Sequence, residues 1–110
     1  MCGILGFASN VAINESEKLL QSIDLLDHRG PDDVGKWVSN NRCVAFAHKR
    51  LSIIDLSKNG HQPMKDNSER YVIVFNGEIY NYLDLFKTLK NKGHRFNSKT
   101  DTDVILAAYC

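Results

Sequence analysis

Cys2 stands directly behind Met1, a placement that can put a nucleophile and a base in one residue. Methionine aminopeptidases act when the second side chain is small, and removal of Met1 would leave Cys2 with a free α-amine. A thiol titrates near about 8.5 and an α-amine near about 7.7 to 8.0, so both change protonation state close to neutrality. The neutral amine can take the thiol proton while the thiolate attacks a carbonyl, with no histidine or aspartate as base. Further along the chain, Asn76 and Gly77 follow a strand-like stretch. A tight turn there can point an Asn amide and a Gly backbone N–H in one direction, the donor pair that a developing acyl oxyanion needs. Arg50 offers a guanidinium fork suited to a carboxylate, though a solvated or salt-bridged arginine is equally sufficient. Asp101 can pair with an ammonium or serve as part of a helix cap.

Composition narrows the classes of function. The chain has 110 residues, 14 Lys and Arg against 13 Asp and Glu, and a formal charge of +1. That length suits one small domain, and the balanced charge argues for neither nucleic acid nor an anionic membrane as partner. Cys2, Cys43 and Cys110 are an odd set at wide spacing, which suits free thiols in a reducing compartment. No spacing among them or with His28, His48, His61 and His94 resembles a metal site. No apolar run is long enough for a membrane span or a signal peptide, and cytoplasm is the default compartment.

The elements that must position the reactive groups read as follows. Residues 3–8 form a short buried strand whose Gly3 and Gly6 point equally to close packing and to a nearby ligand. Asn14 with Glu17 resembles a capped helix start, and Leu19, Leu20, Ile23 and Leu26 share one face of a helix ending near Asp27. His28, Arg29, Gly30, Pro31, Asp32 and Asp33 are sufficiently explained as a helix terminator with Gly30 left-handed; their polarity also allows a loop over a ligand. Residues 34–38 and 43–48 are strands, the second covered on both faces, with Cys43 as an inert core thiol. Residues 71–75 are the most strand-like stretch. They lead through Asn76-Gly77 into a helix capped by Asn81, with Tyr82, Leu85, Phe86 and Leu89 facing inward and Gly93 closing it. Residues 94–97 suit a short edge strand. Thr100, Asp101, Thr102 and Asp103 introduce a last helical stretch that ends without a visible cap, as a truncated chain would.

Taken together, the strings Met1-Cys2-Gly3-Ile4, HRGPDD from His28, RLSIIDLS from Arg50, FNGEIYN from Phe75 and TDTDVI from Thr100 resemble the class II glutamine amidotransferase domain of asparagine synthetases, an N-terminal-nucleophile hydrolase type. The resemblance runs from residue 1 to residue 110 with the motifs in family order. It implies an α+β fold in four α/β/β/α layers with antiparallel sheets, of which residues 1–110 supply an incomplete N-terminal portion and the synthetase domain is absent. It implies Cys2 as nucleophile, its α-amine as base, and Asn76 with Gly77 as oxyanion hole. Arg50 becomes the clamp on the glutamine α-carboxylate with Leu51 and Ile53 beside it, Asp101 the partner of the ammonium, and Glu78 a neighbour of the substrate's amino or amide end. Residues 28–33 become the loop that closes over glutamine.

The implied reaction is hydrolysis of the glutamine side-chain amide to glutamate and ammonia, which the intact protein uses to convert aspartate to asparagine. No cofactor or metal is implied for the glutaminase step, whereas ATP and Mg2+ are implied for the synthetase domain. The implied partners are glutamine and that domain, with neither nucleic acid nor membrane and a homodimer left open. Two alternatives stand beside this: delivery of ammonia to a sugar or another carboxylate, and a non-catalytic module with a structural or regulatory role.

Overall fold

The computed structural model describes residues 2–53 and 57–110. Met1, with the expectation of its removal, and residues 54–56, in the middle of the RLSIIDLS string, lie outside the described residues.

Strands β1 (Gly3–Ala8), β2 (Asp33–Val38) and β3 (Val44–Arg50) form an antiparallel sheet in the order β1-β3-β2. β4 (Met64–Lys65) and β5 (Val72–Ile73) form a second antiparallel pair. Among the described residues three α-helices accompany them: α1 (Ser16–Gln21), which continues into a 3-10 stretch (Ser22–Arg29), α2 (Tyr82–Asn91) and α3 (Asp101–Tyr109). The chain is therefore α+β with antiparallel sheets, as the resemblance implies.

The period-two pattern of β3 explains its central place. Ala45 and Ala47 are buried beneath Leu20 and Ile23, with Leu5, Phe7, Leu26 and Val38 packed around them. The small alanines let α1 and the 3-10 stretch approach the sheet closely. On the opposite face Phe46 stacks on Trp37 at 5.7 Å between ring centroids, while His48 and Arg50 are buried. Burial of Leu20 and Ile23 is the main apolar contribution here, worth about 1.5–3 kcal/mol for each side chain.

Several local expectations need correction. β1 is covered on one side only, with Ile4 40% exposed; Gly3 is buried because Leu26 packs against it, and a Cβ there would lie 2.9 Å from Leu26 Cβ. Helix α1 starts at Ser16 with Glu15 at its cap position and no side-chain cap bond. Arg42 sets this start instead, its Nη2 donating to Asn14 O at 2.8 Å and Ser16 Oγ at 3.2 Å. Leu19 remains exposed. Gly30 has φ −156°, not a left-handed value. It is required by proximity: a Cβ would sit 2.4 Å from the Lys49 carbonyl oxygen. Cys43 precedes β3, half-buried, with its thiol 3.5 Å from Asn41 O, so it is not a core thiol.

The long strand expected at residues 71–75 pairs only at Val72 and Ile73, because side chains capture the flanking donors. Tyr71 N donates to Asp66 Oδ1 at 2.8 Å, and Phe75 N to Gln62 Oε1 at 2.6 Å. Residues 94–97 form no strand: Asn97 N donates to Asp103 Oδ2, and Phe96 stacks on Phe86. Asn81 does occupy the cap position of α2, without a side-chain bond, and Gly93 beyond its end has φ +91°. Tyr82, Phe86 and Leu89 are half-buried, whereas Leu85 is exposed.

Candidate active site

The β1/β3 register places Gly3 opposite Lys49, so Cys2 and Arg50 meet at one end of the sheet. There the Leu51 N–H donates to Cys2 Sγ at 3.3 Å, and the thiol lies 3.8 Å from Leu51 O. Across the sheet Asp33 pairs with Arg50. The nucleophile candidate and the cation candidate thus share one rigid edge. Arg50 Nη1 donates to Ser57 O at 2.8 Å, and its guanidinium lies against Gly60, where a Cβ would come 2.1 Å from Nη2. Gly60 therefore leaves the space in which the fork sits.

Facing this edge is the turn that follows β5. Asn76, Gly77, Glu78 and Tyr80 come from it, and Asp101 and Thr102 come from the first turn of α3. Asp101 is buried, and its Oδ2 accepts from Ile79 N at 3.0 Å, tying turn to helix. The helix start is itself secured. Thr100 Oγ1 accepts from Asp103 N, as a Thr cap should, and Asp103 Oδ2 accepts from Asn97 N at 2.8 Å and Ser98 N at 2.7 Å.

Between these walls lies a cavity of about 370 Å³, of the size that a small ligand fills. Cys2, Arg50, Leu51, Ile53, Asn76, Gly77, Glu78 and Asp101 all line it. Every residue singled out as nucleophile, oxyanion donor or substrate contact is therefore on one concavity, although they are drawn from four separated stretches of chain. Chemically, the arrangement brings one thiol, one guanidinium and the carboxylates of Glu78 and Asp101 together beside the Asn76-Gly77 turn.

Residues 28–33 do not line the cavity. They brace the sheet edge behind it: Arg29 Nε donates to Cys2 O at 3.3 Å, Asp32 N to Arg50 O at 3.0 Å, and Ser52 N to Asp32 Oδ2 at 2.7 Å. Asp33 Oδ2 also meets His61 Nδ1 at 2.6 Å. Next to this segment Lys49 is buried between Asp27 and Asp24, and the hydrogen bond to Asp27 pushes its pKa up, with Asp24 adding to it.

The sequence reading missed Gly60, Gln62, Phe75, Tyr80, Thr100 and Thr102 as lining residues. Gly60 and Gln62 sit in a turn-rich stretch with no periodicity, and only the approach of Arg50 and Phe75 gives them their place. His48 was likewise read as one face of a strand. It is 1% exposed, and among the described residues neither ring nitrogen has a hydrogen-bond partner. Burial holds its pKa below the ordinary value; the Phe75 backbone and Asp33 pull the other way, and Arg50 adds to the lowering. Among the described residues no group of His, Cys, Asp and Glu is arranged to hold a metal ion, and no helix is long and apolar enough to cross a membrane.

Comparison with known proteins bears on this geometry. The sequence is 42% identical to asparagine synthetase [glutamine-hydrolyzing] 1 of Bacillus subtilis and 39% identical to asparagine synthetase [glutamine-hydrolyzing] 3 of the same organism, each over 99% of this chain. It is 38% identical to amidase chry2 of Gibberella zeae, again over 99% of the chain. The chain spans 17%, 18% and 18% of the length of these relatives. The glutamine amidotransferase domain family matches residues 1–110, and the chain belongs to that family.

Proposed function

We propose that this chain hydrolyses the side-chain amide of glutamine with Cys2 as nucleophile. One observation carries the reading: Cys2, Arg50, Asn76, Gly77 and Asp101 line a single cavity of about 370 Å³. Glutamine is a zwitterion with one hydrolysable amide, so its site needs a cation, an anion, a nucleophile and two oxyanion donors. Arg50 binds the α-carboxylate, Asp101 the ammonium, and Leu51, Ile53 and Glu78 complete the wall. The α-amine of Cys2, once Met1 is removed, takes the thiol proton as sulfur attacks the amide carbon. Asn76 and Gly77 donate to the oxygen that becomes negative in the tetrahedral intermediate. The amine then protonates the leaving nitrogen, ammonia departs, and water hydrolyses the γ-glutamyl thioester to glutamate. Residues 28–33 brace the sheet edge that carries Cys2 and Arg50, and so hold the nucleophile and the carboxylate clamp in register.

In the longer protein the ammonia serves the ATP-dependent conversion of aspartate to asparagine, with ATP and Mg2+ held outside residues 1–110. The names of the Bacillus subtilis relatives support that acceptor. The full fold is the four-layer α/β/β/α arrangement, with this chain as its N-terminal portion. A second reading keeps the same glutaminase chemistry and delivers the ammonia to a sugar or another carboxylate; one relative is named an amidase and not an asparagine synthetase.

The test begins with intact mass and N-terminal sequencing of the full-length protein, then glutamate and ammonia release from glutamine. With Cys2 as first residue, the protein hydrolyses glutamine. Cys2→Ala loses hydrolysis by at least about 1,000-fold while still binding glutamine. Unchanged hydrolysis by Cys2→Ala would overturn the reading, and activity with Met1 retained would remove the α-amine from the mechanism.

A further inference from the structure

Gln62 has no role in the chemistry above, yet both ends of its side-chain amide are hydrogen-bonded in the cavity wall. It is 7% exposed. Its Oε1 accepts the Phe75 N–H at 2.6 Å, one residue before Asn76, and its Nε2 donates to Thr102 Oγ1 at 3.1 Å, one residue after Asp101. The amide orientation follows from chemistry, because a backbone N–H can only be met by the amide oxygen. The Gln62 backbone is seated against β2, where a Cβ on Gly35 would come 1.9 Å from Gln62 O. Backbone and side chain together therefore make one residue the junction of the sheet, the turn after β5 and the start of α3.

We propose that Gln62 is a positioning residue that sets the Asn76-Gly77 turn for oxyanion stabilisation, an inference that rests on the glutaminase reading. Phe75 has no strand partner at its N–H, so the Gln62 amide replaces the sheet pairing that would otherwise fix the backbone entering the turn. The anchoring groups do not depend on it in the same way. Asp101 is held by Ile79 N and by the capped start of α3, and Arg50 by Ser57 and Gly60. Loss of the bridge lets the oxyanion donors drift while the two charge anchors stay. Displacement of reacting groups by about 1 Å costs on the order of 100-fold in rate.

The experiment compares glutamine hydrolysis by full-length wild type, Gln62→Leu, Thr102→Val and Thr102→Ser, with glutamate binding followed by calorimetry. Gln62→Leu is expected to lower kcat about 30- to 100-fold, with KM and glutamate affinity within about threefold of wild type. Thr102→Val, which frees the amide nitrogen, is expected to lose about fivefold in kcat, and Thr102→Ser to restore it through the retained hydroxyl. Unchanged kcat in Gln62→Leu, or a loss confined to KM, overturns the positioning role while leaving the glutaminase reading intact. If Gln62→Leu does not fold, the Thr102 pair decides: equal kcat in Val and Ser variants overturns the proposal. An inactive wild type with a free Cys2 amine overturns the glutaminase reading, and this inference with it.

Discussion

The two walls of the cavity are built by different physics. The wall carrying Cys2 and Arg50 is the end of a three-stranded sheet, held by continuous ladders and by Leu20 and Ile23 on Ala45 and Ala47. The wall carrying Asn76, Gly77 and Asp101 rests on a two-residue strand pair and on α2, which has no buried residue. It is fixed instead by side chains that capture backbone donors: Asp66, Gln62, Asp101 and Asp103. The Ser68 hydroxyl and the Tyr71 N–H together hold the Asp66 carboxyl below its usual pKa, the hydroxyl first. Apolar burial is non-directional and sets a platform, whereas hydrogen bonds set angles and distances. On the proposed reading, the nucleophile sits on the platform and the groups that must track a changing substrate sit on the directional wall.

Breaking each wall should give different signatures. Ile23→Ala removes a fully buried side chain that has no room to be replaced by movement of the alanines opposite. It should cost about 2–5 kcal/mol of stability, read as a shift in urea unfolding midpoint, with kcat per folded molecule unchanged. Asp103→Ala strikes the other wall. It frees the N–H groups of Asn97 and Ser98 at the start of α3, and should cost about 2–3 kcal/mol. Because Asp101 is two residues away, KM for glutamine should rise as well. Equal kinetic behaviour in the two variants would erase the contrast between the walls.

The same contrast governs what the sequence disclosed. The platform was legible because period-two and helical spacing report apolar faces directly: residues 3–8 and Ala45 with Ala47 fell where β1 and β3 place them. The cavity residues Cys2, Arg50, Asn76, Gly77 and Asp101 were legible as types able to do chemistry, and their motifs supplied the grouping. The directional wall was poorly legible. Residues 71–75 have strong strand propensity, but Asp66 and Gln62 take the donors that a longer strand would use. Propensity carries no information about a glutamine thirteen positions away. Gly30 was correctly marked as a helix end and given the wrong cause, since contact with the Lys49 carbonyl, invisible locally, demands it.

A substitution at the junction of the walls sharpens the comparison further. In Gly60→Ala the added methyl meets the Arg50 guanidinium, so the fork must shift while its charge remains. KM for glutamine should rise about tenfold, equivalent to about 1.4 kcal/mol of lost binding, with kcat within about twofold. Steady-state kinetics over a range of glutamine concentrations separates the two. A fall in kcat at constant KM would mean that Gly60 serves the turn and not the carboxylate clamp.

The smallest expected effect concerns pH and lies behind the platform. Burial lowers the pKa of His48 from 6.5 in the folded state, while in the unfolded chain it takes a proton near that value. Below about pH 6.5 the unfolded state therefore binds more protons than the folded one, and stability falls as pH falls. Its contribution is complete above about 6.5 and is lost progressively toward the lowered folded-state pKa. Asp33, His61 and Arg50 lie close enough to bias the same ring. Comparing wild type with His48→Gln cancels what those groups contribute to both proteins. Urea midpoints at pH 7.5, 6.5 and 5.5 should fall less steeply for His48→Gln than for wild type. Parallel slopes in the two proteins would mean that the acid sensitivity of the sheet comes from groups other than the buried ring.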